Sequence, residues 1–357
     1  MAHNPVMNAI FPLDPHPGVL VVGAGIAGLA CARDLAHRGI PVTLLDRGRG
    51  VGGRCATRRV DGQPVDHGVA FLHGSDPAFL DALHSVPGAT LLEGWPSRVE
   101  GTGAPCQPDA FAPNERRVAF AEGVTAFPKM MVAGLDARLV TTVVGLHAED
   151  DLWRLDLAGG GTARARTVVL AMATEETLAL VDGLPPGDLE LEGARHLLRM
   201  VAASVPCLTV IAGYPTDVPA PAWDVAFPET SSILKDVVHD SAKRQDPRWT
   251  VLVIQAAARW SRQHAGEPVA SWTQSLLSEG ARLYGEWVAH PAWTQVRHWQ
   301  FGRIESGNEL SGPLVVEGAG GRTLGIAGEV FAEGGGVQAA WTSGRLLAAR
   351  LAERTIG

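Results

Sequence analysis

The stretch VLVVGAGIAGLA, which begins at Val19, constrains this chain of 357 residues more than any other feature. An apolar run over 19–22 predicts a buried parallel strand, and apolar residues at helical spacing predict a helix over 26–37. A second apolar run at 42–45 completes a β-α-β unit of about 30 residues. The three glycines between the first strand and the helix match the G-x-G-x-x-G turn, which receives a dinucleotide pyrophosphate at a helix N-terminus.

Each glycine of this turn has a predicted role. Gly23 permits the tight turn out of the strand, Gly25 lets the pyrophosphate approach the backbone, and Gly28 lets the helix pack close to the sheet. Asp46 ends the second strand, where a carboxylate can accept hydrogen bonds from ribose hydroxyls. We therefore expect these nucleotide contacts from the turn: Gly23, Gly25, Ile26, Ala27 and Gly28.

A second glycine-rich stretch, RGRGVGGRCATRR, begins at Arg47. NAD-dependent dehydrogenases do not need it, whereas FAD enzymes of the glutathione-reductase type often have it. Gly53 is expected to bring backbone near the diphosphate, Arg54 can neutralise that diphosphate, and Arg47 is a further predicted contact. The following pair, Arg58 and Arg59, is read equally well as a solvated charge run.

The C-terminal stretch LGIAGEVFAEGGGVQAAWTSG predicts a buried strand over 324–328 and a helix over 337–352. Glu329, directly after the strand, can accept hydrogen bonds from ribityl hydroxyls. The N-terminus of the helix is expected to stabilise negative charge on the pyrimidine edge of a reduced flavin. We expect these FAD contacts outside the first turns: Val143, Glu329, Gly335, Gly336 and Val337.

The predicted fold class is α/β, a Rossmann-type FAD-binding domain with an inserted α+β substrate domain built on an antiparallel sheet. Turn clusters at 149–151 and 159–161 predict an antiparallel meander within 139–174, which then leads into a buried strand. A flexible N-terminus is expected over 1–17. The remaining boundaries are an FAD-binding domain at 18–75, 136–184 and 316–357, and a substrate domain at 76–135 and 185–315.

Composition narrows the functional classes. The net charge of −8 disfavours a nucleic-acid partner, because no basic surplus is present to neutralise phosphates. No window approaches the ~18 uncharged apolar residues of a transmembrane helix, so no membrane partner is expected. The four cysteines include no CxxC pair and no zinc-ligand spacing. We expect reduced thiols in a cytoplasmic protein and no metal.

The chain resembles the renalase-like flavoproteins, and the similar stretches extend from Val19 to about Arg350. The more specific stretches are ARWSRQH and RHWQFGR; the others are GAGIAGLACARDL, LLDRGRGVGGRCATRR, VDHGVAFLH and AGEVFAEGGGVQAAWTSG. Three positions depart from the family: Glu329 stands where the family commonly has Asp, Val69-Ala70-Phe71 where it often has Gln-Tyr-Phe, and three glycines follow Glu333. These departures leave the substrate open.

The resemblance implies a two-domain flavoprotein of the p-hydroxybenzoate-hydroxylase type with non-covalent FAD. It also implies that a small molecule, the 2- or 6-dihydro isomer of NAD(P)H, is oxidised to NAD(P)+ and that O2 accepts the electrons as hydrogen peroxide. The residues it places at the catalytic side of the pocket are Phe71, Trp260, His298 and Trp299, with Phe301 nearby.

Other activities stay open at this point. A dihydropyridine is a strong hydride donor, so no general base is required. An amine oxidase often uses a lysine-bound water, for which Lys129 and Lys235 are candidates. His67 and His73 are interpreted as packing residues rather than as a flavin linkage or a base. A monooxygenase or desaturase and a non-catalytic FAD-binding protein are the remaining alternatives, and the oligomeric state is not predicted.

Overall fold

The computed structural model describes residues 15–101, 110–201, 204–304, 307 and 309–355. The chain divides into two compact units. The first comprises the described residues of Met1–Gly53, Met131–Ala203 and Glu305–Gly357, and the second those of Arg54–Met130 and Ser204–Ile304. Both ends of the chain therefore belong to the first unit, and the second unit is built from two insertions.

The described strands, in chain order, are β1 (His16–Val22), β2 (Val42–Leu45), β3 (Thr57–Val60), β4 (Gln63–Asp66), β5 (Leu72–Gly74), β6 (Leu91–Glu93), β7 (Val99–Glu100), β8 (Arg116–Phe120), β9 (Asp136–Arg138), β10 (Val143–Glu149), β11 (Leu152–Leu157), β12 (Thr162–Leu170), β13 (Ser204–Tyr214), β14 (Val225–Ala226), β15 (Leu234–His239), β16 (Thr250–Ala256), β17 (Trp293–Ile304), β18 (Leu314–Glu317) and β19 (Thr323–Ile326). The described α-helices are α1 (Ile26–His37), α2 (Pro77–His84), α3 (Ala126–Val132), α4 (Thr174–Asp182), α5 (Leu189–Val201), α6 (Ala258–His264), α7 (Val269–Tyr284) and α8 (Gly336–Thr355).

The first unit is built on an eight-stranded sheet. Its parallel core has the order β9-β2-β1-β12-β19, with β18 antiparallel at the edge. Leu20 and Val21 are fully buried, as expected for a central parallel strand covered on both faces. The predicted β-α-β unit is confirmed, because α1 and β2 have the predicted bounds. The α/β fold class is confirmed with it.

The predicted meander is also confirmed. β10, β11 and β12 pair in antiparallel order, and the second half of β12 continues in parallel beside β1. The turns fall at the predicted clusters: Asp150 has a φ of 41°, and Gly159, Gly160 and Gly161 all have positive φ. The same long strand therefore serves both the meander and the parallel core.

The second unit is built on a six-stranded sheet of order β17-β13-β16-β15-β14-β7. All its pairs are antiparallel except β14 with β7. Adjacent residues of a strand point to opposite faces, and the two faces carry different clusters. Val210 and Ile254 pack with the residues of α7, whereas Ile211 and Val253 pack with Phe71 and Trp95.

The unit boundaries differ from the predicted domain boundaries in four places, because the first unit also takes in the described residues of 131–135 and 305–315. The two larger differences are at 54–75 and after residue 184. Residues 54–75 belong to the second unit rather than to the FAD-binding domain, because Asp66 is buried there against Lys243 and Arg244. Residues 185–201 belong to the first unit. There the Arg195 guanidinium, on α5, donates to the Val181 carbonyl oxygen at 2.9 Å.

The predicted flexible N-terminus lies mostly outside the described residues. The predicted boundary at residue 17 is too late, because β1 begins at His16, whose ring forms a hydrogen bond with the Thr43 hydroxyl at 3.1 Å.

Among the described helices, none combines the length and the apolar composition that a membrane span requires. Cys31, Cys55 and Cys207 are buried and form no disulfide bond among the described residues, and Cys106 lies outside them. The described side chains form no cluster suited to a metal ion.

Candidate functional site

The first glycine turn is shaped by close backbone contacts. A Cβ at Gly23 would lie 2.5 Å from the Ala171 carbonyl oxygen, and the residue has a φ of 106°. A Cβ at Gly28 would lie 1.9 Å from the Gly23 carbonyl oxygen. Real Cβ atoms do not approach that closely, so both glycines are required for the turn itself.

Gly25 differs from these two glycines. A Cβ built on it meets no protein atom within 4 Å, and its φ of −74° is open to any residue. Gly25 is the N-cap of α1, and no side chain caps the helix there. The first amides of any helix lack partners inside it and carry the positive end of the dipole. The open space beside these amides fits a pyrophosphate.

The second glycine pair lies against the first turn. The Gly52 N–H donates to the Ala24 carbonyl oxygen at 2.8 Å, and a Cβ at Gly53 would lie 3.6 Å from the Gly25 α-carbon. These two contacts hold the second loop next to Gly25, the position at which the pyrophosphate is expected. The Arg54 carbonyl oxygen accepts the Val69 N–H at 3.0 Å.

Asp46 organises the loops around the turn. One carboxylate oxygen accepts the Ala24 N–H at 2.6 Å, and the other accepts the Gly48 N–H at 2.6 Å. Each oxygen keeps further acceptor capacity for a ribose hydroxyl. The Thr141 N–H donates to the Asp46 carbonyl oxygen at 2.8 Å, which brings the start of β10 and Val143 near this loop.

Arg47, a predicted cofactor contact, is held by a surface ion pair. Its guanidinium is paired with the Glu176 carboxylate at the start of α4, and its side chain is mostly exposed. In the described structure the Arg47 side chain therefore serves a surface ion pair. Such pairs typically contribute little to stability.

The C-terminal stretch lies within the same unit as the first turn. β19 is followed by a 3₁₀ turn over Glu329–Phe331, and α8 begins at Gly336. The Ser343 hydroxyl donates to the Gly328 carbonyl oxygen at 2.8 Å, which holds the loop to the helix. A Cβ at Gly344 would lie 2.2 Å from the Ala27 carbonyl oxygen, so α8 packs closely on α1. Glu329 and the glycines of 335–336 are thus carried by the nucleotide-binding unit.

The four predicted catalytic residues all lie in the second unit, but the structure does not bring them together. His298 and Trp299 are neighbours on β17 and therefore point to opposite faces. His298 is paired across the strands with Leu208, on the face that packs against α7. Trp299 is paired with Cys207 and lies on the other face.

Phe71 and Trp260 have core positions. Phe71 is 2% exposed and forms an aromatic cluster with Trp95 and Phe111. Trp260 is 9% exposed, packs on the α7 face of the sheet and stacks on His264 at 4.2 Å. In the described structure, the burial and ring contacts of Phe71 and Trp260 are those of residues that pack in a hydrophobic core.

The surroundings of Trp299 include residues that the sequence interpretation did not select. Its indole N–H donates to the His67 carbonyl oxygen at 3.1 Å, and the two rings stack with centroids 5.5 Å apart. The Arg297 guanidinium lies over the Trp299 ring, 4.7 Å from its centroid. The Gln255 side chain, on the same face, donates to the Gly68 carbonyl oxygen at 2.9 Å. In the strand segment RHWQ, residues 297–300, side chains alternate between the two faces of the sheet. This alternation predicts that Arg297, and not His298, lies on the same face as Trp299.

His67 is buried with its Nδ1 atom unpaired among the described atoms. Burial, reinforced by the Arg58 and Arg297 guanidinium groups, lowers the pKa of His67 from 6.5 to about 4. The ring is therefore neutral at physiological pH. Burial also raises the pKa of the Cys207 thiol, which keeps it protonated and unreactive.

The other candidates have structural partners. Lys235 is nearly buried, paired with Asp236 at 2.8 Å, and donates to the Gln255 side-chain oxygen at 3.3 Å. Lys129 lies exposed on α3. His73 bonds the Glu115 carboxylate at 2.9 Å, in agreement with its interpretation as a packing residue.

Comparison with known proteins agrees with this geometry. The family model described as an NAD(P)-binding Rossmann-like domain matches residues 21–85. The chain is 54% identical over 82 residues to a hydroxyneurosporene desaturase of Rubrivivax gelatinosus, which covers 23% of this chain and 15% of that protein. It is 47% identical over 62 residues to a Mycobacterium tuberculosis protein named as a flavin-containing monoamine oxidase, covering 17% of this chain and 14% of the relative. The matches thus span only a small part of each relative's length.

The whole fold has a solved counterpart. The structure of cyclohexylamine oxidase from Brevibacterium oxydans matches 96% of this chain and 100% of its own with a TM-score of 0.71, at 14% identity. NAD and FAD share the ADP portion that a Rossmann turn binds, so the family description is compatible with the predicted FAD. The matched proteins are named as a desaturase and two amine oxidases, all of which are oxidoreductases, in agreement with the predicted enzyme class. The chain therefore carries a Rossmann-like nucleotide-binding domain within the fold of a solved amine oxidase.

Proposed function

We propose that this protein is an FAD-dependent oxidoreductase that binds FAD non-covalently in its first unit. The observation that carries the proposal is the open space at Gly25, bounded by the first amides of α1 and by the Gly52-Gly53 backbone. Gly23 and Gly28 are closed by protein atoms, whereas Gly25 is not. The open position lies beside the first amides of α1, which is where a helix N-terminus binds a pyrophosphate.

The chain's own residues would hold the cofactor in three places. The amides of residues 26–28 would bind the pyrophosphate, and the Asp46 carboxylate would accept ribose hydroxyls. Glu329 would accept from the ribityl chain, and the N-terminus of α8 would favour negative charge at the pyrimidine edge. When bound, FAD would supply the acceptor for a hydride, and reduction of O2 by those two electrons, with the proton of the hydride and one from solvent, would give hydrogen peroxide.

The finer proposal is a renalase-like oxidase that takes hydride from the 2- and 6-dihydro isomers of NAD(P)H. The motifs ARWSRQH and RHWQFGR support it, and they fall on α6 and β17 of the second unit. The donor loses two electrons and one proton as hydride and leaves as NAD(P)+. Because such a donor carries no proton that must first be removed, the neutral, buried His67 is compatible with the reaction.

An amine oxidase or a desaturase is the second candidate, because the matched relatives and the solved structure carry those names. Either activity would use the same bound cofactor and a different small molecule. Lys235 would then be the lysine of interest, since it lies on the sheet of the second unit beside Gln255. A monooxygenase would instead consume NADPH while hydroxylating its substrate.

Three measurements on the purified protein test the proposal. The first is identification of the cofactor released by denaturation, which we expect to be FAD. The second is anaerobic reduction of the bound flavin by each dihydronicotinamide isomer and by a panel of amines. The third is peroxide formation after air is admitted. Absence of FAD from a folded, reconstituted protein would overturn the cofactor assignment, and peroxide without reduction by any dihydronicotinamide would overturn the finer proposal.

A further inference from the structure

Three consecutive residues of α8 attach this helix to the rest of the first unit. Ser343 bonds the loop that follows β19, and Gly344 packs on α1. Arg345 pairs with Asp34, also on α1, at 3.0 Å. All three residues lie about two turns beyond the start of the helix at Gly336. The position of the helix N-terminus is therefore set by contacts that are made at a distance from it.

The Ser343 hydroxyl serves both backbone groups of Gly328. It accepts the Gly328 N–H at 3.2 Å and donates to the Gly328 carbonyl oxygen at 2.8 Å, sharing its proton with the Ala340 carbonyl oxygen at 3.0 Å. The Ser343 side chain is fully buried, so no water takes the place of the hydroxyl when it is removed. Because Gly328 directly precedes Glu329, this hydroxyl determines where the Glu329 backbone lies relative to α8.

The segment directly before α8 has no side chains with which to pack. It consists of Gly334, Gly335 and Gly336, whose φ angles are 84°, 61° and 73°. A Cβ at the first or the last of them would meet no protein atom within 4 Å. Glycine has the greatest backbone freedom to lose on folding, so this segment does not fix the start of the helix by itself. The bonds from Ser343 to Gly328 span the segment and close it into a loop.

The contact at Gly344 keeps α8 against α1. A Cβ at this position would lie 2.2 Å from the Ala27 carbonyl oxygen, so only glycine allows the two helices to approach this closely. Ala27 belongs to the first turn of α1, whose amides are the proposed pyrophosphate site. This contact does not involve the Ser343 hydroxyl. Removal of that hydroxyl therefore leaves the packing of the two helices and the pyrophosphate site in place.

We propose, on the basis of the FAD binding proposed above, that Ser343 is a positioning residue for the flavin part of the cofactor. It holds Glu329 and the N-terminus of α8 at the separation that the ribityl chain and the pyrimidine edge require. Because its side chain is fully buried, Ser343 does not touch the cofactor and acts through Gly328. The affinity for the flavin part of FAD should depend on this hydroxyl, and the affinity for the ADP part should not.

The test compares two ligands that share the ADP part. The full-length apoprotein is titrated with FAD and with ADP. In Ser343→Ala we expect the Kd for FAD to rise roughly tenfold, as for the loss of about one hydrogen bond. The Kd for ADP should change by less than about twofold. Ser261→Ala is the matched control, because it removes an equally buried hydroxyl that accepts the Leu208 N–H at 3.2 Å in the second unit, and it should leave both constants unchanged.

A second readout separates positioning from stability. A hydroxyl that served the stability of the fold alone would not alter the midpoint potential of the bound flavin. In Ser343→Ala we expect this potential to fall by about 30 mV, because a displaced helix N-terminus stabilises the reduced, anionic flavin less. That shift corresponds to a tenfold larger loss of affinity for reduced than for oxidised FAD in a two-electron couple. Ser343→Cys, with a weaker hydrogen-bonding group of similar size, should change both quantities less in the same direction, and it replaces Ser343→Ala if that variant does not fold.

The outcomes distinguish this inference from the proposed function. If the unaltered protein binds FAD while Ser343→Ala binds it equally well, the positioning role is wrong and the cofactor assignment stands. Equal increases in the Kd for FAD and for ADP, or an unchanged midpoint potential, would also overturn the positioning role. If the folded, unaltered protein binds ADP but not FAD, the cofactor assignment fails, and the role of Ser343 fails with it.

Discussion

Gly28 faces Gly23 so closely that a Cβ at position 28 would lie 1.9 Å from the carbonyl oxygen of Gly23. Position 25, between them in the same turn, has no protein atom within 4 Å of a Cβ. Two glycines of one motif therefore serve different ends. One permits the chain to fold, and the other leaves room for a ligand.

Substitutions at these two positions should separate folding from binding. Gly28→Ala should lower the free energy of unfolding by about 2–4 kcal/mol, because backbone must shift to admit the methyl group. Gly25→Glu should change it by less than about 1 kcal/mol but abolish FAD binding, because the side chain occupies the pyrophosphate space and carries like charge. Thermal unfolding of the apoprotein and flavin occupancy after reconstitution check both, and full occupancy in Gly25→Glu would contradict the assignment.

Asp46→Asn should weaken FAD binding. The carboxylate accepts two short backbone hydrogen bonds, from Ala24 and Gly48, and the amide can reproduce only one of them. Since charge-assisted bonds are worth about 1.5–3 kcal/mol, we expect the Kd for FAD to rise at least roughly tenfold. The measurement is fluorescence quenching on titration of the apoprotein with FAD. Asp151→Asn, an exposed partner of Arg166, is the control and should bind normally.

Lys243→Met should destabilise the second unit. Lys243 and Arg244 neutralise the buried carboxylates of Asp66 and Asp240, and removal of one cation leaves a negative charge uncompensated. The expected loss is about 3–5 kcal/mol in the free energy of unfolding, measured in urea. Lys129→Met, on an exposed turn of α3, should cost less than about 0.5 kcal/mol. Equal stability of the two variants would show that the cluster contributes nothing.

The same cluster predicts acid sensitivity. Burial raises the pKa of Asp66, but the Lys243 and Arg244 cations outweigh burial and leave the pKa below its ordinary value of 3.8. A carboxyl group with a depressed pKa stabilises the fold above its unfolded pKa and loses that contribution as the pH falls through the folded pKa. The contribution of Asp66 should therefore be complete at neutral pH and disappear below about pH 4, as followed by the urea midpoint.

His67 should add a second pH dependence at higher pH. Burial holds its pKa at about 4, below its ordinary 6.5, so the unfolded chain binds the proton more readily than the folded one. Stability is then complete above pH 6.5 and falls as the pH drops toward 4, by about 2 kcal/mol at pH 5. His67→Phe, which keeps a ring against Trp299, should remove this loss.

The control for that experiment is a histidine with the opposite shift. The backbone hydrogen bond to Leu80, with help from Glu93, raises the pKa of the exposed His84. His84→Gln should therefore not reduce the loss of stability between pH 6.5 and 5. If His67→Phe and the unaltered protein lose stability equally over this range, the buried neutral state of His67 is wrong.

The nucleotide-binding elements could be predicted from the sequence because their signals are local. The strand-turn-helix around Gly25 is specified by glycines and apolar spacing within a few residues, and the structure reproduces the bounds of α1 and β2. The turn at Gly159 to Gly161 was predictable for the same reason. A turn that needs a positive φ or a close backbone contact requires glycine, so it can be recognised from the residue type alone.

The second unit was harder to predict because its contacts are between distant segments. Asp66 joins the second unit through Lys243, 177 residues away, and nothing near Asp66 in the chain indicates it. The structure also places His298 and Trp299, which are adjacent in sequence, on opposite faces of β17. Neighbours in sequence are not neighbours on a strand face, and the alternation that separates them was present in the sequence.

A dihydronicotinamide isomer is the proposed reductant of the bound flavin, and anaerobic reduction of the holoenzyme tests this proposal most directly. The purified protein is mixed without oxygen with partly isomerised NADH and, separately, with a panel of primary and polyamine substrates. We predict rapid loss of the oxidised flavin absorbance with the 2- and 6-dihydro isomers and none with amines. Reduction by an amine while both isomers leave the flavin oxidised would contradict the account and establish the amine-oxidase alternative.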